Sequence, residues 1–243
     1  MFYALILVTV FLTSLLSGIV GMAGGMILMA VLVSLSSVAG AMILHGAVQA
    51  TANGSRAWFL RQHLRSDILP NYAVGAGIAV AIFMMIAFVP EPGVVLVLVG
   101  LFPWFARLSK RLKGLDVLKP LTAISCGVVV TAAQLLAGAS GPLLDVFYHN
   151  TPLTRHEIVA NKAVTQTLGH FIKILYYGFF VGVAVQFDIW LIAIAMTIAV
   201  AGTRAGTMVL EKWSDAQFQK VSQIIILTIA TLCFIQGIRL LLA

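Results

Sequence analysis

Apolar residues run through this chain in stretches of about twenty, the length a helix needs to cross roughly 30 Å of hydrocarbon. Such stretches form helices because backbone amides in lipid must be paired within their own segment. The pattern predicts helices over 2–20 and 26–35, 39–60, 68–89 and 93–106, then over 118–136 and 143–150, 155–180, 186–208 and 216–242. Between them lie polar runs and helix breakers: Arg61 to Asp67, Pro90-Glu91-Pro92, and the basic stretch Arg107 to Lys119.

The pattern occurs twice. An apolar run stops at Gly21-Met22-Ala23-Gly24-Gly25, and another stops at Gly138-Ala139-Ser140-Gly141-Pro142. Adding 116 carries Gly25 to Gly141 and Ile27-Leu28 to Leu143-Leu144; after one inserted residue, adding 117 carries Gln49, Asn53 and Arg56 to Gln166, His170 and Lys173. The expected fold is an all-α polytopic membrane protein of two repeats, 1–116 and 117–243, forming one integral membrane domain. Each repeat holds a glycine-broken, re-entrant-like helix pair and three transmembrane helices.

Charge orients this scheme. If each broken segment dips in and returns, the basic loops at 61–67, 107–119, 151–157 and 204–213 share one side, the cytoplasmic one. The acidic or neutral loops at 90–92 and 182–188 then face outward, and the second half becomes an upside-down copy of the first, a plan common in secondary transporters. The return arm 143–150 reaches only about 12 Å, so a fully crossing first arm stays open as an alternative.

Composition agrees. With 61% hydrophobic and 9% charged residues, too few polar groups exist to coat a soluble globule. The net charge of +7 sits in short loops and argues for orientation, with no nucleic-acid role. Cys126 and Cys233 stand alone in apolar runs, so neither a disulfide framework nor a metal site is expected. Residues 2–20 lack the charged start of a signal peptide and are expected to stay in the mature chain. Trp58, Trp104, Trp190 and Trp213 fall near helix ends and read as membrane-interface residues.

Two polar stripes carry the candidate chemistry. His45, Gln49, Asn53 and Arg56 share one helix face, and Lys162, Gln166, His170 and Lys173 share another at the same spacing. Ionisable groups inside a membrane are costly and normally face a cavity or a partner. These are cationic or amide groups, so the favoured guest is an anion. The helix ends after the two breaks offer free N–H donors and partial positive charge near Gly24, Gly25, Ser140 and Gly141. The plainer alternatives are close helix packing at the glycines and snorkelling of Arg56 and Lys173 to headgroups. Asp145 either pairs with Lys162 or carries a coupling proton; Asn161 is either a ligand or a helix-helix hydrogen bond. Ser140, His170 and Asp145 also contain the residue types of a hydrolytic triad, but nothing in the spacing brings them together, and no enzyme is expected.

The stretch Leu-Ala-Gly-Ala-Ser-Gly-Pro-Leu-Leu (136–144), Ala160-Asn161-Lys162-Ala163 with Gln166, and Gly202-x-x-x-Gly206 before Ser214-Asp215-x-x-Phe218 resembles the TauE/SafE family of sulfite and sulfonate exporters. The likeness spans nearly the whole chain and is looser in the first half, where Ala23 interrupts the glycine run, as Ser140 does in the second. It implies a small-anion secondary transporter of about eight helical segments in the bacterial inner membrane, moving sulfite or organosulfonates such as sulfoacetate. Substrate ligands would be Gly24, Gly25, Gln49, Asn53, Ser140, Gly141, Asn161, Lys162, Gln166 and His170, with Asp145, His45, Arg56 and Lys173 in coupling or charge pairing. No cofactor is expected. The partners are the anion and the lipid bilayer, with a homodimer left open and an anion channel of the same architecture as the alternative.

Overall fold

The computed structural model describes residues 2–20, 23–109, 115–149, 151–182, 187–210 and 215–243; Gly21, Met22, Trp213 and Ser214 lie outside them, as do parts of the loops at 107–119, 182–188 and 204–213. All regular structure in the described residues is helical: α1 (Phe2–Val20), α2 (Ala23–Leu35), α3 (Val38–Phe59), α4 (Leu69–Ile86), α5 (Pro92–Ser109), α6 (Pro120–Ala137), α7 (Gly141–Tyr148), α8 (Arg155–Leu175), α9 (Ile189–Leu210) and α10 (Asp215–Leu242). Two 3₁₀ turns, Arg61–His63 and Ser66–Ile68, join α3 to α4, and a π-helical segment, Tyr176–Phe180, extends α8. Six of the helices, α1, α4, α5, α6, α9 and α10, are long and apolar enough to cross a membrane. With Met85, Leu121, Phe179 and Trp190 exposed on its flanks, the chain is a multi-pass membrane protein.

Local signals set most of the ends. Ser37 caps α3 by accepting from Gly40 N–H at 3.1 Å, and Thr154 with Glu157 forms a reciprocal capping box on α8. Pro at the first turn opens α4, α6 and α7. α6 stops at Gly138, whose φ of 70° turns the chain in a way that side-chain-bearing residues resist.

Two expected boundaries move. α2 begins at Ala23 rather than residue 26, so Gly24 and Gly25 belong to a helical turn. The cause is close packing: a Cβ on Gly24 would lie 1.8 Å from Thr13 O, so only glycine lets α2 fold back against α1. α7 likewise runs over 141–148 rather than 143–150, because Pro142 suits a first turn.

Helix pairing follows the small residues. α1 and α9 run the same way, with Gly202 against Phe11 and Leu15 and Gly206 against Leu15 and Gly18. α5 and α10 run oppositely, with Gly93 against Gly237 and Leu241 and Gly100 against Ala230 and Phe234. α4 meets α6 where Gly75 faces Ile124 and Gly127 faces Tyr72. α3 and α8 cross the middle in opposite directions, Gly46 against Ile174 and Gly54 against Thr167. A Cβ on Gly75 would sit 2.0 Å from Ile124 O, whereas one on Gly77 meets nothing within 4 Å. Gly75→Val is therefore expected to destabilise the protein by about 2 kcal/mol or more. Thermal unfolding in detergent checks this against Gly77→Val, which should leave the transition unmoved.

Contacts also sort the loops into two ends. At one, the His63 and His156 rings lie 5.0 Å apart, Arg65 approaches Glu157 at 3.8 Å, Arg107 donates to Gln223 at 3.4 Å, and Val117 N–H donates to Phe147 O at 3.2 Å. At the other, Tyr3 donates to Asp188 and Tyr176 to Phe88 O. The first end carries Arg61, Arg65, Arg107, Lys119 and Arg155 beside Asp67, Asp116 and Glu157, and is net basic among the described residues; the second carries Glu91, Asp188 and Arg239.

Candidate functional site

The site forms where α3 and α8 cross between the starts of α2 and α7. Both central helices were set apart by their polar stripes; α3 shows no exposed residue from Val38 to Ala50, and α8 buries His170 and Lys173 of its stripe. A helix with polar groups so deep must turn them toward other protein or toward water, and here they line a cavity of about 660 Å³.

Its wall takes Gly25 from α2, His45, Gln49, Asn53 and Arg56 from α3, Gln134 from α6, Ser140, Gly141 and Asp145 from the α7 region, and Arg155, Lys162, Gln166 and His170 from α8. Ser222 and Gln223 of α10 close one side. The cavity opens toward the basic end, past the exposed His149 and Arg155. A neighbouring space of about 300 Å³ shares Asp145, His149 and Gln223 with it.

Hydrogen bonds fix the groups around the inner end. Gly25 O can only accept, so the 2.9 Å contact to His45 places the proton on Nε2. Nδ1 of the same ring then accepts from Lys173 Nζ at 2.8 Å, and Lys173 also donates to Gly138 O at 3.0 Å. Lys173 is fully buried and touches no carboxylate among the described residues. Beside it, Gln134 joins three partners. Its Oε1 accepts from Ser140 Oγ at 2.6 Å, and its Nε2 donates to Gly138 O at 3.1 Å and to His170 Nδ1 at 2.7 Å. His170 therefore carries its own proton on Nε2, the ring's remaining donor.

Toward the mouth, Lys162 and Asp145 form a hydrogen-bonded ion pair linking α8 to α7. Arg56 reaches Ser17 O at 3.5 Å. Asn53 Nδ2 bonds Gln49 O, whereas Gln49 Nε2, buried on the cavity wall, has no partner. The described lining holds Arg56, Arg155 and Lys162 against Asp145 alone. The cavity is thus positive in character, with amide and imidazole donors and two helix starts turned toward it.

Most of the expected ligands gather here: Gly25, Gln49, Asn53, Ser140, Gly141, Lys162, Gln166 and His170, with His45, Arg56 and Asp145. Three do not reach the wall. Gly24 packs on Thr13 and Ser17. Asn161 is buried elsewhere and donates to Glu157 O on its own helix. Lys173 sits behind His45, too deep to snorkel, because the α3 to α8 crossing encloses its whole side chain. Ser140 does not meet His170; the Gln134 amide stands between them, so no triad is assembled.

Gln134, Ser17, Arg155, Ser222 and Gln223 are wall residues not singled out from the sequence. Gln134 left one usable signal, a lone amide four residues before Gly138 in an apolar run. No family model, curated protein or solved structure matches this chain.

Proposed function

We propose that this chain is a secondary transporter of small sulfur-containing oxoanions, sulfite or an organosulfonate, bound near mid-membrane between the starts of α2 and α7. The observation that carries this reading is the cavity itself, deep, rich in cations and lined by a buried amide donor with no partner. Burying such a donor unsatisfied costs about 1–3 kcal/mol, a cost that a bound acceptor removes. A sulfonate offers three acceptor oxygens and a fixed charge, which suits amide, imidazole and helix-start donors with one or two cations.

The helix pairing supports an inverted repeat. Exchanging α1–α5 with α6–α10 turns the α1 to α9 contact into α6 to α4 and the α2 to α10 contact into α7 to α5, and leaves α3 to α8 and α5 to α10 unchanged; every one of these pairs is in contact. The self-paired helices run antiparallel, as a twofold axis in the membrane plane requires. The cavity opens past His149 and Arg155, whereas His45, His170 and Lys173 at its other end are buried, which favours alternating access over an open channel. The basic end is read as cytoplasmic, and the TauE/SafE resemblance gives the substrate class and the bacterial inner membrane.

Counterflow of labelled sulfoacetate, sulfite, taurine and sulfate in proteoliposomes tests the reading; saturable exchange of at least one sulfur anion is expected, and none for any of the four sinks it. Gln49→Leu should weaken binding of the transported anion about tenfold, the share of one hydrogen bond to a charged group. The empty variant should melt no lower than wild type, since an unsatisfied donor has been removed.

A further inference from the structure

Lys173 has no evident structural need for its charge. Its amine is buried at the inner end of the cavity, bonded among the described residues to the His45 ring and Gly138 O alone, with the His170 ring beside it and 5.5 Å from that of His45. Each neighbouring element contributes something neutral or basic. α3 presents His45, and Arg56 nearer the mouth; α8 presents His170. α6 presents the Gly138 carbonyl and Gln134, and α2 the Gly25 carbonyl. The Tyr176 and Tyr177 hydroxyls are spent on the carbonyls of Phe83, Phe88 and Leu135. The one carboxylate among the described residues of the cavity wall, Asp145, is taken by Lys162.

A cation so buried lacks a counter-charge until something negative enters the cavity. An arriving anion supplies it across one imidazole, and the cluster then holds a proton more favourably than before. The repeat adds a second argument. The offset of 117 carries His45 to Lys162 and Arg56 to Lys173, so the inner layer of His45 and Lys173 is the counterpart of the outer layer of Lys162 and Arg56. The outer layer lies toward the open mouth; the inner one is buried. Reorienting the carrier would wet the inner layer and release what it holds.

We propose that the Lys173–His45–His170 cluster is a proton site filled together with the anion, so that the protein moves the two in the same direction. The inference rests on the transport reading. Balance is simple: one proton is taken from solvent as the anion enters, held on Lys173 or shared with the imidazoles, and returned on the far side with the anion.

Methanesulfonate is the probe, since its own charge is constant across the neutral range. Calorimetric titration of the full chain in two buffers of different ionisation enthalpy is expected to give uptake of about one proton per anion bound. The dissociation constant should rise up to about tenfold per pH unit on the alkaline side. Lys173→Met should bind with no proton uptake and no pH dependence, and Asp145→Asn, although its affinity changes, should still take up about one proton per anion bound. Binding without uptake by the wild type overturns the proton site and leaves the transport reading standing. Uptake that survives in Lys173→Met, or vanishes in Asp145→Asn, also overturns it by assigning the proton elsewhere. If Lys173→Met does not fold, His45→Gln takes its place, and unchanged uptake there counts against the cluster. No binding of methanesulfonate, sulfoacetate or sulfite at any pH removes both readings together.

Discussion

Lys162→Ala is expected to weaken sulfonate binding by about a hundredfold or more, and Asp145→Asn to strengthen it. In the wild type the two side chains neutralise each other at the mouth side of the cavity. Removing the ammonium takes away a cation and also uncovers a carboxylate facing the same space. A unit charge about 6 Å from a bound anion, at an effective dielectric near 20, is worth roughly 3 kcal/mol, about a hundredfold in Kd. Asp145→Asn works in the opposite sense by freeing Lys162, and about tenfold tighter binding is a conservative expectation because that side chain is partly solvated. The double variant, with neither charge, should bind within about tenfold of wild type, because the cavity loses no net charge. Calorimetry with methanesulfonate on the four proteins closes the cycle. Equal affinity for all four would mean that the anion does not bind beside this pair.

The cycle also bears on how far the sequence could be read. The two stripes at matched spacing placed His45, Gln49, Asn53, Lys162, Gln166 and His170 on helix faces, and period alone brought them to one wall, because four-residue spacing stacks side chains whatever the tertiary context. The breaks were legible for a similar reason: Gly138 and Pro142 act through backbone geometry that is local. Depth was not legible. Whether Lys173 reaches headgroups or stays sealed depends on how α3 crosses α8, and nothing within either helix reports that. Gln134 was missed because a single amide in an apolar run has meaning only once α6 is known to lie beside α8. Gly24 and Asn161 failed in the opposite direction. Each has a residue type suited to a ligand, and each is consumed by packing or by a bond to its own helix.

Those misses share a cause that also explains the site's arrangement. Every group of the two stripes except Lys173 lines the cavity, whereas Lys173 and Gln134 hold its inner end in shape. Lys173 and Gln134 both bond to Gly138 O, the carbonyl of the residue that caps the end of α6. A helix C-terminus leaves its final carbonyls without intrahelical partners, and in an apolar interior they must be met by side chains. Side chains from α6 and α8 therefore tie down the turn that positions Ser140 and Gly141, and the ligand-facing donors inherit their placement from that tie.

Gln134→Leu should accordingly be the most damaging single change at the site, although Gln134 supplies only part of the wall. The substitution nearly preserves volume but leaves Ser140 Oγ without its acceptor, His170 Nδ1 without its donor, and Gly138 O with Lys173 alone. Three buried groups each losing about 1–2 kcal/mol give a loss of roughly 3–6 kcal/mol, a large part of what a protein of this size has to spare. A large fall in melting temperature is expected, together with loss of sulfonate binding. Ser140→Ala gives the comparison. It removes one hydroxyl and leaves the buried Gln134 Oε1 without its donor among the described residues, so a decrease of about 1–2 kcal/mol with binding retained is expected. If Gln134→Leu melts like wild type, the amide is not what holds the α6 to α7 turn, and the donors at Ser140 and Gly141 owe their position to the helix packing alone.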